Sequence, residues 1–293
     1  MIRPAELPLN HRKAVYHLNL RSEEIADFII TVGDPARVRQ VSQHFDKIEF
    51  KREHREFVTH TGFIGSHRLS VISTGIGMPN IDIVMTEIDA LANIDLEMRE
   101  IRESTKSLNI VRLGTTGGLG RDSEPGDIVI SRYAVGFDSL LDYYSYELST
   151  NLGDLRASLD NYLLEEDIPF FVAESCPDLI DGFEGMGTIG ITATCSGFYG
   201  PQGRNIRLPL RYPDFLNKLA EFKFADLKIT NLEMETAAIL GLGRLFGHRC
   251  LSISTIVANR TNGTFTDNVQ GNIDKLITDF LDRIPYLCEQ SAS

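Results

Sequence analysis

Short uncharged runs alternate along this chain with segments whose apolar residues recur at helical spacing. Phe28-Ile29-Ile30-Thr31-Val32 is an unbroken β-prone run that stops at Gly33-Asp34-Pro35, and it predicts a buried strand. Pro35 suits a first helical turn, so residues 35–43 follow as a helix. Residues 57–65 and 69–73, joined through Ser66-His67-Arg68, predict a hairpin. Gly75-Ile76-Gly77-Met78-Pro79-Asn80 opens a helical pattern that runs through Ile83, Ile88, Leu91 and Ile94 and extends as far as Ser104. Further strands are expected at 109–113, 127–130, 187–194, 227–232 and 250–258. Helices are expected at 154–166, 213–223, 236–247 and 270–289, and residues 137–153 and 171–186 read as surface loops. This alternation points to a mainly parallel sheet covered on both faces.

Composition narrows the function classes. The 293 residues fit one large α/β domain, and there is no repeat, low-complexity stretch or linker. No apolar run is long enough to span a bilayer, and the first residues lack a signal-peptide core, so a cytoplasmic location is expected. Cys176, Cys195, Cys250 and Cys288 are far apart and form no CxxC pair, which fits reduced thiols and argues against zinc. A formal net charge of −12 makes nucleic acid an unexpected partner.

Three segments carry candidate chemistry. Glu233-Met234-Glu235 lies between a predicted strand and a predicted helix, where ligands bind in open α/β sheets. A carboxylate there accepts hydrogen bonds from vicinal hydroxyls, and a thioether packs against a sugar ring. The same glutamates would equally serve a capped surface helix. Gly33-Asp34-Pro35-Ala36-Arg37 combines a close backbone approach, a helix start and a guanidinium one turn in, which suits an anion. Arg112-Leu113-Gly114-Thr115-Thr116-Gly117 places a second arginine at a strand end. That arginine needs either a structural carboxylate or an anionic ligand. Two such sites favour an oxyanion of phosphate size.

Gly33–Val38, Ser73-Thr74-Gly75-Ile76-Gly77, Arg112–Gly117 and Glu233–Glu235, in that order along the chain, resemble the purine nucleoside and uridine phosphorylase superfamily from about His17 to Asn259. The resemblance implies a single three-layer αβα domain over residues 1–293 with a central mixed, twisted sheet. It also implies that Gly33, Arg37, Arg112 and Thr115 bind inorganic phosphate. Arg55 resembles an arginine that reaches phosphate in the neighbouring subunit, and His17 a histidine donated across that interface to the ribose 5′-hydroxyl. Met234, Glu235 and Thr115 would hold the ribose. No redox cofactor is implied; phosphate is a co-substrate, and the expected unit is a homodimer or a hexamer built from such dimers.

Gly197-Phe198-Tyr199-Gly200-Pro201-Gln202-Gly203-Arg204 resembles the uracil-binding loop of the uridine-specific branch. Gln202 offers a donor and an acceptor to uracil, Arg204 donates to O4, and Phe198 stacks on the ring. Arg260 would brace the Gln202/Arg204 pair, with Glu233 behind Glu235 and with Val257 and Ala258 forming an apolar wall for the base. Purine-cleaving relatives carry an aspartate where this chain has Asn259, and asparagine cannot act as that acid. Some relatives bind a monovalent cation through residues that Glu56 and Ile76 match, but Asn80 replaces the serine. Residues 93–108 form a longer segment than in compact relatives, expected to carry a helix outward. The expected activity is reversible phosphorolysis of uridine, with Arg204, Gln202, Arg112 and Glu235 closest to the chemistry. The alternatives are a broader or purine-specific phosphorylase, a nucleosidase using water, and a non-catalytic nucleoside or phosphate sensor.

Overall fold

A computed structural model describes residues 1–284 of the chain. The strands are β1 (Phe28–Val32), β2 (Lys47–His54), β3 (Phe57–Ile64), β4 (His67–Ser73), β5 (Ile94–Asp95), β6 (Glu100–Ile101) and β7 (Asn109–Gly118), followed by β8 (Ile128–Phe137), β9 (Phe171–Glu174), β10 (Thr188–Cys195), β11 (Lys223–Phe224), β12 (Leu227–Glu233), β13 (Arg249–Asn259) and β14 (Thr264–Phe265). The helices are α1 (Pro35–Ser42), α2 (Met78–Asn93), α3 (Thr150–Tyr162), α4 (Pro177–Asp181), α5 (Phe215–Glu221), α6 (Thr236–Leu245) and α7 (Val269–Leu281). The last part of the helix expected over 270–289, with Cys288, lies outside the described residues.

The central sheet is mixed and runs β11-β12-β10-β8-β13-β7-β1-β4-β3-β2. Two parallel runs, β13-β7-β1-β4 and β12-β10-β8, meet at an antiparallel β8–β13 pair, and β2, β3, β9, β11 and β14 are added antiparallel, so the sheet is less parallel than the alternation predicts. Alternation along these strands separates two cores. Ile29, Ile72 and Ile110 pack with α2 and α6, whereas Phe28, Ile30, Val32, Val111 and Leu113 pack with α1, α4 and α7. A third apolar cluster joins α3 and α5 to β8, β10 and β12. These layers give the αβα arrangement that the alternation predicts.

The sheet is not fully open. β12 also pairs antiparallel with the end of β7, at Asn231↔Gly118 and Leu232↔Gly117, so that β7, β13, β8, β10 and β12 close into a ring. The buried Asn231 amide holds that closure. Its Nδ2 donates to Thr116 Oγ1 at 2.9 Å, and its Oδ1 accepts from Thr192 Oγ1 at 3.0 Å.

Four expectations need correction. The helix from Met78 stops at Asn93 and does not reach Ser104; residues 94–101 form the small β5–β6 hairpin. The Asn93 side chain clamps the returning chain, accepting from Lys106 N at 2.6 Å and donating to Lys106 O at 3.2 Å. β7 runs on through Gly114–Gly118, a polar stretch that reads as a loop, because β13 and β12 take up its ladder. Residues 171–174 are a buried strand, and 177–181 a helix, where a surface loop was expected. The exposed strand β2 escapes notice because its residues are largely charged.

Candidate active site

Strand ends and helix starts converge at one edge of the sheet. β1 ends just before Gly33, β7 carries Arg112, and β12 ends at Glu233; α6 begins after Glu235 and α2 after Gly77. Arg112 is only 5% exposed. Its Nη2 donates to Glu235 Oε2 at 2.7 Å and lies 3.1 Å from Glu233 Oε2, while Nη1 donates to Ser254 Oγ at 3.0 Å. The guanidinium folds back over Gly114, where a Cβ would lie 1.7 Å from Nη1. Glycine at 114 is thus a steric condition for this arginine.

The two glutamates divide the work. Glu233 Oε1 accepts from Thr194 Oγ1 at 2.6 Å, and Oε2 accepts the N–H groups of Glu235 at 2.8 Å and Thr236 at 2.9 Å. Glu233 therefore caps the start of α6. Glu235 Oε1 accepts the Gly77 N–H at 2.7 Å, at the start of α2. The half-buried Met234 brings its methyl near Gly77 as well. Burial opposes the charge of Arg112, but Glu233 and Glu235 outweigh it and hold its pKa above the ordinary arginine range. Burial raises the Glu235 carboxyl pKa; Arg112 offsets part of that rise and Glu233 adds to it.

Arg37 approaches from α1. Its Nη1 lies 3.5 Å from Leu113 O, and its Nε is buried with no hydrogen-bond partner. Burial and then the charge of Arg112 push its pKa down. The alternatives left open for the two arginines thus separate. Arg112 has its structural carboxylates; Arg37 has a buried donor without an acceptor, beside a second guanidinium. Thr115 is half-buried and stands opposite Thr255 in the β7–β13 register. Gly33 is half-buried, and a Cβ there would meet Gly75 O at 3.5 Å, an ordinary contact.

The base loop is built differently. Gln202 ends a single 3₁₀ turn and is buried; Gly203 follows in the left-handed region at φ +68. Arg204 Nη1 donates to Gln202 Oε1 at 2.6 Å and also to Phe198 O, and its guanidinium lies 3.7 Å from the Phe198 ring centroid. One face of Phe198 is thus covered by Arg204, while the residue as a whole is 50% exposed. Burial and then Arg260 lower the Arg204 pKa to about 10. Arg260 lies along Gly117, where a Cβ would sit 3.0 Å from its Cγ. A register shift between Ile256 and Ala258 turns the half-buried Val257 out of the ladder. The Asn259 amide is spent on structure: Nδ2 donates to Gly120 O at 2.9 Å, and Oδ1 accepts from Asn262 N at 2.7 Å. Behind the loop lies a cavity of about 720 Å³, lined by Tyr199, Pro201, Leu210 and Phe215. It does not include Arg112 or Glu235.

His17 and Arg55 stand apart from this corner. Arg55 is exposed at φ +54 in the turn between β2 and β3, and His17 hydrogen-bonds Glu87 on α2. Asn80 Nδ2 donates to Glu56 Oε1 at 3.3 Å, and Ile76 is exposed. No group of three or more His, Cys, Asp or Glu among the described residues could hold a metal ion, and no described helix is long and apolar enough to cross a membrane. Sequence reasoning missed Ser254, Thr194 and Glu87, and it quoted Gly77 without its bond to Glu235. They meet their partners only across strands and helices far apart in the chain, so no local spacing marks them.

Thermococcus kodakarensis uridine phosphorylase is 29% identical over 264 residues, 89% of this chain and 83% of that protein. A DeoD-type purine nucleoside phosphorylase from Streptococcus suis is 26% identical over 279 residues, 90% of this chain and 99% of that protein. Among solved structures, a Trypanosoma brucei nucleoside phosphorylase described as showing uridine phosphorylase activity superposes with a TM-score of 0.82 at 29% identity. That match covers 93% of this chain and 98% of the other. The model of the phosphorylase superfamily matches residues 27–283, and the chain belongs to that superfamily.

Proposed function

We propose that this protein catalyses the reversible phosphorolysis of uridine to uracil and ribose 1-phosphate. The observation that carries the reading is the buried, unpartnered Nε of Arg37 beside Arg112, at the corner where Glu235 is held. A buried donor without an acceptor is costly, and a phosphate oxygen supplies the acceptor. Gly33, Arg37, Arg112 and Thr115 hold phosphate on one face of the ribose. Glu235 accepts from the ribose hydroxyls, and Met234 packs on the sugar. Gln202 keeps one Oε1 lone pair and its amide N–H groups for uracil after accepting from Arg204. As the glycosidic bond lengthens, negative charge grows on the base and positive charge on the sugar. Arg204 and Gln202 meet the first; the phosphate anion meets the second. Positioning and fixed dipoles carry the rate, with no covalent enzyme intermediate.

Asn259 favours uridine over purines, because its amide is bound to backbone groups and carries no acidic proton. The buried Arg37 donor weighs against a nucleosidase, since water offers that guanidinium no counter-charge, whereas Arg112 already has Glu233 and Glu235. His17 and Arg55 complete the site of a neighbouring copy, which makes a homodimer the smallest active unit. Against a monovalent-cation site at Glu56, Ile76 and Asn80 stands the Asn80 N–H donor that faces the Glu56 carboxylate.

The test is release of free base from uridine, inosine and adenosine, each with and without inorganic phosphate. Uracil release that requires phosphate is the expected result. Purine release refutes the base assignment, release without phosphate means a nucleosidase, and no release leaves the sensor reading.

A further inference from the structure

Glu87 is a buried carboxylate for which neither the corner nor the loop has a use. It lies on α2 and is 5% exposed. Every hydrogen bond it accepts comes from one short piece of the N-terminal segment. The His17 N–H reaches Oε1 at 2.9 Å and Oε2 at 3.1 Å, and the Leu18 N–H reaches Oε2 at 2.8 Å. The His17 ring nitrogen Nδ1 lies 2.8 Å from Oε1. An ionised carboxylate only accepts, so Nδ1 carries the proton and donates it. The rest of the residue is fixed as well. His54 Nδ1 donates to His17 O at 3.0 Å, and the ring meets Phe57 edge-on at 6.4 Å between centroids. Phe57 is buried, and His54 immediately precedes Arg55.

We infer that Glu87 is a positioning residue that fixes the tautomer of His17, so that the neutral ring presents Nε2 as a hydrogen-bond acceptor. This rests on the proposed phosphorolysis, in which His17 meets the ribose 5′-hydroxyl. It adds a direction to that contact: the hydroxyl donates and the imidazole accepts. The nucleoside selected is then one with a free 5′-hydroxyl able to donate. The His54 bond also ties His17 to the Arg55 turn, so the two residues offered to a neighbouring copy move as one unit.

Glu87→Gln is the informative change. With its oxygen in the place of Oε2 the amide still accepts from Leu18 N–H and, at the longer distance, from His17 N–H; its NH₂, in the place of Oε1, gives up the shorter His17 N–H bond and donates to Nδ1, which sends the ring proton to Nε2. Proton-detected ¹⁵N spectra of histidine-labelled protein, with His17 assigned through His17→Ala, read the tautomer directly. Wild type is expected to show Nδ1–H at His17, and the Gln variant Nε2–H. Nε2–H in the wild type overturns the inference whatever the enzyme's activity proves to be. Kinetics supply the second readout. Loss of one hydrogen bond predicts a rise in KM for uridine of about threefold to tenfold in the Gln variant. KM for 5′-deoxyuridine, which lacks the donor, is expected to stay within about twofold of wild type. A purely structural role would raise both equally and would refute the assignment. If Glu87→Gln does not fold, the wild-type spectrum alone decides: Nδ1–H at His17 supports the inference and Nε2–H overturns it. Wild type that releases no uracil from uridine and phosphate defeats the functional reading, and the spectra still decide the role of Glu87.

Discussion

The strand-end corner around Arg112 and the base loop around Arg204 each place an arginine against a polar partner, yet they are built on different supports. Arg112 is buried, touches two carboxylates and a hydroxyl, and rests on Gly114 in the middle of the sheet. Arg204 lies on a half-exposed phenylalanine, bonds a glutamine two residues away, and has a cavity rather than packed core behind its loop. The corner owes its geometry to long-range packing, and the loop owes its geometry to its own few residues. Disturbing the corner therefore damages the fold together with the chemistry. Disturbing the loop should change chemistry and base choice and leave the fold intact.

The largest effect is expected from Arg112→Ala. It strands Glu233 and Glu235 as buried charges without a cation, a change typically costing about 3–5 kcal/mol. Denaturant unfolding should show that loss together with loss of phosphate dependence; unchanged stability would erase the contrast between the two regions. Arg204→Ala should leave stability within about 0.5 kcal/mol. It should cost turnover of uridine by about 2.7–4 kcal/mol of transition-state stabilisation. A folded variant with the wild-type rate would remove Arg204 from the mechanism. Inorganic phosphate should stabilise the corner, by about 2.7 kcal/mol at a hundredfold excess over its Kd. Arg37→Ala should abolish most of that rise in Tm, and an undiminished rise would place the anion elsewhere.

The pH dependence of the loop gives the smallest and sharpest test. Burial holds the Arg204 pKa at about 10, below the range of a free arginine. Between those values the unfolded chain binds more protons than the native one, so stability contributed by this residue rises as pH passes about 10. Turnover should move the other way, because a neutral guanidine no longer stabilises the departing base. Arg204→Ala should lack that alkaline limb; a limb that persists would belong to another group.

Much of this was legible in the residues. The run Phe28–Val32, the helix opened by Pro35 and the strand–carboxylate–helix join at Glu233–Thr236 all stand where the pattern places them. The Arg37 and Arg112 segments also meet at one sheet edge. Less legible were the extent of β7 and the hairpin after α2. Gly114–Gly118 carries no apolar alternation, and it is extended only because neighbouring strands hold it. Asn93 ends α2 through contacts with Lys106, thirteen residues away.

Local chemistry settled most of the strands and helices around the corner, since buried runs, capping residues and turn glycines act over a few neighbours, but not β2, the β5–β6 hairpin, β9 or α4. It also named most of the polar residues around the corner and the loop. Tertiary structure alone decided their pairings: Arg112 with Ser254, Glu233 with Thr194, Glu235 with Gly77, and His17 with Glu87. Each of these pairs spans tens of residues or more. Such a pairing is selected by the burial of both partners at once, and no interval along the chain encodes it.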